Sequence, residues 1–338
     1  MARDYTYPPA PEPLPLPVPD NHTHIEPGQG PGGGVEQLTL DEQVARGKAV
    51  GIDRFVQCGC DLDAARWTAH AVQIEPALLG AIAIHPNEAA RMAARTQATR
   101  MDDDGPRVGP SSCAGVGAGK GVSMGGGLPP CAEAGAGVSP AGSLWPGPSS
   151  SEYEAALAEV ARMAKEQERI RAIGETGLDY YRTGPEGHAA QEQAFRDHIA
   201  LAKELGLAMQ IHDRDAHGDI LRVLAHDGAP ERTVFHCFSG DREMAEILAA
   251  NGWYLSVAGT VTFAGAGELR EAVASMPLTK LLVETDAPYL TPHPFRGRPN
   301  APYMAATTVR AIAALHDVSL DVACSTLAET TVRVYGSW

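Results

Sequence analysis

The sequence predicts an α/β protein with a single domain, a (β/α)8 barrel of the TIM type. Short apolar runs rich in β-branched residues recur about every 30 residues, and helical patterns separate them. This alternation favours parallel strands, and eight repeats favour a closed barrel. The chain has 338 residues. Without a Pro-rich tail and a low-complexity insert, roughly 270 residues remain, which is the size of one such barrel.

Each predicted strand is a short run of apolar residues, and most of these runs end in a polar side chain. The eight runs are Val18–Glu26, Ile52–Cys58, Leu78–His85, Ile170–Glu175, Leu207–His212, Arg232–Phe238, Trp253–Val257 and Lys280–Asp286.

Helical patterns with recognisable start and stop signals lie between the strands. Thr39 and Glu42 form a capping-box signal that opens an amphipathic run to Val50. Residues 189–205 place apolar side chains at helical spacing, and Gly206 supplies a C-terminal stop. Further helices are predicted over residues 152–169, Ala305–Leu315 and Leu320–Val334.

Two stretches differ in composition from the barrel domain, which we assign to residues 19–335. Residues 1–18 form a Pro-rich tail that we expect to be flexible. Residues 102–151, between strands 3 and 4, are rich in Gly, Pro, Ser and Ala and have almost no apolar periodicity. This composition predicts a disordered surface insert, because little burial is available to offset the ordering entropy. An ordered lid over the site is the alternative.

Composition and charge exclude several classes of protein. A hydrophobic fraction of 44% excludes global disorder, and the net charge of −15 argues against a broad basic surface for nucleic acid. A local basic pocket or bound metal ions could still accept a phosphate. The chain has no apolar run of about 18 residues, so we expect no transmembrane helix and a cytoplasmic location. We expect no disulfide framework, no stable protein partner and a monomer.

Metal-ligand residue types stand near the C-terminal ends of the predicted strands. His22 and His24 end the first strand, and residues two apart on a strand point the same way. The C-terminal end is also where barrel enzymes keep their active sites. The other strands that end in such residues contribute His85, Glu175, His212, His236 and Asp286.

This set of side chains is chemically coherent. Four histidines (22, 24, 212 and 236) and two carboxylates (175 and 286) are too many ligands for one four-coordinate ion. They suit two divalent ions with a bridging carboxylate, an arrangement that polarises a phosphoryl or carbonyl oxygen. A carboxylate nearby can orient the attacking water or take its proton. Mixed His and carboxylate ligation is compatible with Mg, Mn, Zn or Fe.

Over residues 18–100 and 152–335 the sequence resembles the TatD-type metal-dependent hydrolases of the amidohydrolase superfamily. The combination of motifs is specific, although each motif alone is weak. The motifs are HTH at 22–24, His-Pro at 85–86, GETGLDYY at 174–181, QIHDRDA at 210–216, FHCFSG at 235–240, ETDAPYLTP at 284–292 and RGRPN at 296–300.

The resemblance implies a TIM barrel, two divalent metal ions and hydrolysis of DNA phosphodiesters, often as a 3′-directed exonuclease. DNA ends or single-stranded DNA would be the substrate. The matching motifs imply a metal held by His22, His24 and Asp286, a second held by His212 and His236, and Glu175 as the bridge. Asp286 would also accept the proton of the attacking water.

The resemblance also implies residues that contact the substrate. His85 would touch the region of the scissile phosphate. Arg298 and Asn300 match a family loop near the site, and the charge of Arg298 suggests a phosphate contact.

Other functions remain as alternatives. An amide or ester hydrolase on the same barrel is the main one. A catalytically inactive binding protein is disfavoured, because all six ligand positions are filled. A nucleic-acid scaffold that uses the insert is disfavoured, because the insert has no Arg/Lys cluster and a single aromatic residue, Trp145.

The remaining cysteines and histidines have structural interpretations. We expect Cys58 and Cys60 to be buried thiols, and Cys237 to point away from His236 into the barrel wall. Seven histidines without partner spacing are expected to be solvated or structural: His70, His188, His198, His217, His226, His293 and His316.

Overall fold

Eight parallel strands form one sheet in which each strand lies beside the next in sequence. The computed structural model describes residues 5–28, 35–103 and 151–338. The predicted barrel and all eight predicted strands are confirmed. The strands are β1 (Asp20–Thr23), β2 (Phe55–Gly59), β3 (Leu78–Ile82), β4 (Ile170–Asp179), β5 (Ala208–Arg214), β6 (Thr233–Phe235), β7 (Tyr254–Val257) and β8 (Leu281–Val283).

Contacts between the first and last strands close the barrel. Thr23 forms a parallel bridge with Ala287 just beyond β8. The backbone N–H of His24 donates to the Ala287 carbonyl at 2.8 Å, and that of Asp286 donates to the His22 carbonyl at 3.0 Å. Closure therefore brings the HxH pair and Asp286 to the same end of the barrel.

Ten α-helices surround the sheet in the described part of the chain. The predicted capping box of Thr39 and Glu42 is present, and Gly206 ends a helix in the left-handed conformation at φ 62°. The helices are α1 (Leu40–Ala49), α2 (Leu62–Ile74), α3 (Pro86–Asp103), α4 (Ser151–Glu166), α5 (Pro185–Leu205), α6 (His217–Asp227), α7 (Arg242–Ala250), α8 (Gly267–Ser275), α9 (Ala305–Leu315) and α10 (Leu320–Tyr335).

Strand alternation divides the core into two layers. On β3, Leu79 and Ala81 belong to a small cluster inside the barrel, whereas Leu78 and Ile82 belong to the larger cluster between sheet and helices. Tyr335, at the end of α10, joins the inner cluster. Because side chains fill the lower barrel, the open space for a site lies at the C-terminal ends of the strands.

The described part of the Pro-rich segment, residues 5–18, packs against the barrel, which differs from the flexible tail that its composition predicts. Leu14 and Val18 are buried. The Tyr303 hydroxyl donates to the Pro8 carbonyl at 2.6 Å, and Arg310 donates to the Glu12 carbonyl at 2.7 Å. Proline removes backbone donors but leaves the carbonyls of the segment as acceptors, and the barrel uses them.

The predicted insert lies between β3 and β4, as expected. The segment between the flanking helices is slightly shorter than the predicted insert 102–151, because α3 continues through Asp103 and α4 begins at Ser151. Residues 104–150 lie outside the described residues, so the predicted disorder remains a prediction.

Within the described ranges, no single helix is long and apolar enough to cross a membrane. Helices α9 and α10 pass that test only as a pair, and they meet at a bend of 111°.

Candidate metal centre

Inward-facing positions of the strands carry the candidate ligands to one point above the inner core. On β5, Ala208 lies in the inner cluster, and Gln210 and His212 follow it at the same alternation. On β6, Val234 lies in that cluster and His236 follows two residues later. The period of two along a strand therefore stacks a ligand directly above apolar core residues.

One half of the site consists of His22, His24 and Asp286. The two Nε2 atoms are 3.2 Å apart. Asp286 Oδ1 is 3.4 Å from Nε2 of His24 and 3.9 Å from Nε2 of His22. Both imidazoles are buried, and the Asp286 side chain is 14% exposed towards the cavity.

The other half consists of His212 and His236, which share one oxygen of Glu175. Glu175 Oε2 is 2.9 Å from Nδ1 of His212 and 2.6 Å from Nε2 of His236. The second oxygen, Oε1, lies 3.9 Å from Nε2 of His22 and 3.6 Å from Nε2 of His24. The Glu175 carboxylate therefore lies between the two pairs of imidazoles, with one oxygen towards each.

Hydrogen bonds fix the tautomers of the first pair. Gln210 donates its amide N–H groups to the Asn21 carbonyl and to the Tyr335 hydroxyl, so its Oε1 faces Nδ1 of His22 at 3.0 Å. Nδ1 of His24 lies 3.0 Å from the Cys58 carbonyl. Both Nδ1 atoms must carry hydrogen, which leaves both Nε2 lone pairs facing each other. Either a proton on one Nε2 or a cation between the two removes the repulsion between these lone pairs, and the donor set of two imidazoles and a carboxylate fits a metal ion.

A further carboxylate lies beside each imidazole of the second pair. Glu284 is fully buried, accepts the backbone N–H of Cys237 at 2.7 Å and lies 3.4 Å from Nδ1 of His236. Asp179 Oδ2 is 3.3 Å from Nε2 of His212. Histidine ligands of metals commonly give their second nitrogen to such a group, which orients the ring.

Burial and neighbouring charges set the electrostatics of the site. Burial lowers the pKa of His22 well below its usual value, and the neighbouring His236 lowers it further. Burial also lowers the pKa of His85, to about 3. For Glu175 burial acts in the opposite direction, but His236 and His85 outweigh it and hold the pKa well below its usual value. At His212 and His236 burial also lowers the pKa, but the nearby carboxylates outweigh it and raise the pKa of both rings. Because neutral imidazole and ionised carboxylate are the forms that bind metal ions, a metal ion has to displace protons from these two rings.

A cavity of about 640 Å³ opens above these residues. Its lining includes His24, His85, Glu175, His212, His236 and Asp286, with Arg182 and Arg214 among the other lining residues. Among the described residues, neither of these two arginines forms an ion pair with a carboxylate, whereas many arginines elsewhere do. Neither arginine stands out in the sequence, although Arg182 directly follows the GETGLDYY motif and Arg214 lies within QIHDRDA.

The structure brings His85 to the site but leaves Arg298 and Asn300 outside the cavity lining. The Arg298 guanidinium donates to the carbonyls of Thr6 and Tyr7, at 2.8 and 2.7 Å. The position of Arg298 therefore does not agree with the predicted phosphate contact, because carbonyls of the N-terminal segment bind its guanidinium. Asn300 is buried and donates to the Thr285 carbonyl at 3.0 Å, so it supports the loop that carries Asp286.

Two thiols also differ from the sequence prediction. Cys60 is partly exposed in the cavity, and its Sγ lies 3.2 Å from Glu175 Oε1. The alternation of β2 could have shown this, because Cys58 faces inward and Cys60 continues the same face. Cys237 lines the cavity instead of the barrel wall. Strand β6 ends at Phe235 and Cys237 has φ 43°, so strand alternation no longer applies there.

The barrel and its converging imidazoles and carboxylates are the hallmarks of a metal-dependent hydrolase. A family model described as TatD related DNase matches residues 19–336. The chain belongs to this family of metal-dependent hydrolases.

Similar proteins agree with this assignment. The chain is 35% identical to an uncharacterized metal-dependent hydrolase TatD from Mycobacterium tuberculosis, over 88% of this chain and 91% of that protein. It is 40% identical to an uncharacterized metal-dependent hydrolase YcfH from Escherichia coli K12, over 52% of this chain and 66% of the relative.

Solved structures show the same fold. The crystal structure of YjjV, a TatD homologue from Escherichia coli K12, has a TM-score of 0.69 at 20% identity and covers 95% of this chain and 98% of its own. A TatD family hydrolase from Entamoeba histolytica has a TM-score of 0.67 at 15% identity, over 96% of this chain and 100% of its own.

Proposed function

We propose that this protein is a phosphodiesterase that removes nucleotides from DNA ends or single-stranded DNA and uses two divalent metal ions. The observation that carries the proposal is the position of Glu175, whose two oxygens each face a different pair of imidazoles. His22, His24 and Asp286 would hold one ion, and His212 and His236 the other. When bound, such a pair of ions activates a water molecule and polarises a phosphoryl oxygen.

Asp286 is our candidate for the group that takes the proton of the attacking water. Its carboxylate lines the cavity beside His24 and is 14% exposed, so solvent can reach it from the open side. Glu175 is less suited, since imidazoles surround both of its oxygens. A general base must lie within reach of the water that it deprotonates, and the partial exposure of Asp286 to the cavity supports this role.

The chain also provides donors for the non-bridging phosphate oxygens. Nδ1 of His85 accepts the backbone N–H of Asn87 at 3.1 Å, so Nε2 carries the hydrogen. That Nε2 lies 4.0 Å from Glu175 Oε2, at the wall of the cavity. Arg182 and Arg214 supply positive charge at the same cavity. Arginine is the side chain best suited to phosphate, because its donors match the oxygen geometry.

The test uses the full-length chain, stripped with a chelator and reloaded with Mg2+, Mn2+ or Zn2+. We expect hydrolysis of single-stranded DNA to return with metal. Asp286→Asn should lower kcat by roughly a hundredfold or more, which is the usual scale for loss of a general base. His212→Ala should lower the amount of metal bound per chain, measured by mass spectrometry of the elements.

His70→Ala is the matched control, because His70 is an exposed histidine on α2. It should leave both metal content and rate unchanged. Full activity of Asp286→Asn would contradict the assigned base. Hydrolysis of an amide or ester panel, with no cleavage of DNA under any metal, would instead favour the amide or ester hydrolase.

A further inference from the structure

Two exposed aromatic side chains lie at the candidate site. In the part of the chain that the structure describes, Tyr181 and Tyr289 are the most exposed of the Tyr, Phe and Trp residues, at 66% and 53%. Tyr289 lines the cavity, and Tyr181 precedes Arg182, which also lines it. The two most exposed rings thus lie in or directly beside the same cavity, and exposed apolar surface at a cavity is typical of a binding site.

Tyr181 is held against a cation of the same cavity. The guanidinium carbon of Arg214 lies 4.1 Å from the centroid of the Tyr181 ring. Arg214 comes from the end of β5 and Tyr181 follows the end of β4, so two neighbouring strands build the pair. With a guanidinium on the ring and 66% of the residue exposed, a flat surface remains open to a ligand.

A ring and a guanidinium together suit one class of ligand. Unpaired nucleobases stack on aromatic side chains, and every base has a π-face, so the contact tolerates different sequences. The phosphate beside the base requires a cation, which Arg182 and Arg214 provide. In duplex DNA both faces of an internal base are already stacked, so a ring of this kind favours bases that are unpaired.

We propose that Tyr181, backed by Arg214, stacks on an unpaired nucleobase next to the phosphate that is cleaved, and that Tyr289 adds a second ring to this surface. The inference rests on the proposed phosphodiesterase function and adds to it the side chain that binds a base of the substrate. Tyr181 is thus a substrate-binding residue, with no part in the proton transfer.

The experiment compares two single-stranded DNA decamers with the metal-loaded full-length protein. One has natural bases, and the other has abasic residues at the three positions of each end, which covers either direction of degradation. For Tyr181→Leu we expect KM on the natural decamer to rise about tenfold, the scale of a lost base stack, with a smaller change in kcat. On the abasic decamer Tyr181→Leu should match the wild-type protein. Tyr181→Phe should behave as wild type on both.

The controls separate this inference from the proposed function. Ile74→Ala removes an exposed apolar side chain on α2 and should change neither substrate's kinetics. Equal KM values of wild type and Tyr181→Leu on the natural decamer would overturn the stacking role and leave the phosphodiesterase intact. Cleavage of neither decamer by the wild-type protein would overturn the phosphodiesterase itself.

Discussion

Glu284 is a buried carboxylate that lies beside the candidate metal ligand His236. It accepts the backbone N–H of Cys237 at 2.7 Å and lies 3.4 Å from Nδ1 of His236. Its second oxygen has no hydrogen-bond partner among the described residues, and the same holds for Nδ1 of His236. Unsatisfied buried polar atoms are costly. A hydrogen bond from Nδ1 of His236 to the Glu284 carboxylate would remove this cost and would orient the ring as a metal ligand.

At this residue we predict that Glu284→Gln weakens metal binding more than it weakens the fold. The amide oxygen can still accept from Cys237, but a neutral amide supports the His236 ring less well. We expect metal affinity to fall by roughly ten- to a hundredfold, the range for such supporting groups. Competition with a chromophoric chelator measures this directly. Glu246→Gln, on the surface of α7, is the control. Equal affinities for Glu284→Gln and wild type would contradict the role.

At the scale of elements, β-strand periodicity makes most of the site predictable. Residues two apart on a strand share a face, which places His22 with His24. Parallel strands of a barrel end at the same rim, which brings these two residues to the ends of the later strands. Alternation fails beyond the last strand residue. Cys237 lies two residues past β6 in a left-handed conformation, and its direction follows from the loop.

Arg298 shows the limit of sequence reasoning in loops, because its charge suggests a phosphate contact whereas it binds backbone carbonyls. The charge is visible in the sequence, but the carbonyls of Thr6 and Tyr7 that bind it lie almost 300 residues away along the chain. Arg182 and Arg214 do line the cavity although the sequence gives no sign of it, because their position depends on how β4 and β5 end side by side. Pattern alone carries no information about such long-range pairings.

Helix α5 carries a buried histidine that makes stability depend on pH. His198 is fully buried, and its Nδ1 donates to the Ala194 carbonyl while its Nε2 accepts the Ile84 N–H at 3.1 Å. Burial lowers the pKa of His198 from 6.5 to about 4. Because the unfolded chain takes up this proton first, the stabilisation is complete above about pH 6.5 and is lost as the pH falls towards 4.

We therefore predict that the difference in unfolding free energy between the wild type and His198→Gln shrinks as the pH falls from 7 to 4. The full change is about 3 kcal/mol, from 1.36 kcal/mol for each pKa unit. Urea unfolding at intervals across this range measures it. His70→Gln, an exposed change on α2, should follow the wild-type curve. A constant difference between wild type and His198→Gln would show that His198 does not titrate in this way.

At the scale of the whole molecule, acidic residues outnumber basic ones, and the candidate site follows this excess. The chain carries −15 overall, yet its candidate site contains two arginines that form no ion pair within the described residues. Many arginines elsewhere pair with carboxylates or bind carbonyls, as Arg310 does on the N-terminal segment. Seven carboxylates line the same cavity, so the binding of a phosphate there depends on bound metal ions as well as on the two arginines. The net charge of −15 supports the proposed action on DNA ends rather than on long duplexes.

The segment 104–150 provides a test of how the whole chain is organised. The helices that flank it are packed together, because Arg95 of α3 pairs with Glu152 at the start of α4 at 2.7 Å. From Arg95 the helix continues by about 12 Å to Asp103, at 1.5 Å for each residue. A Gly/Ser linker of about ten residues has a root-mean-square span of roughly 17 Å, which is sufficient to replace the segment.

We predict that this replacement preserves the fold, the metal content and the rate of DNA hydrolysis. A shorter loop costs less entropy to close, so the unfolding free energy should be unchanged or higher by about 1 kcal/mol. Denaturant unfolding and single-strand hydrolysis, both on the metal-loaded protein, measure the two effects. Deletion of residues 1–13 is the contrasting control. It removes the carbonyls that bind Arg298, Tyr303 and Arg310, so it should lower stability. A lower rate with unchanged stability after the linker replacement would instead favour the ordered lid over the site.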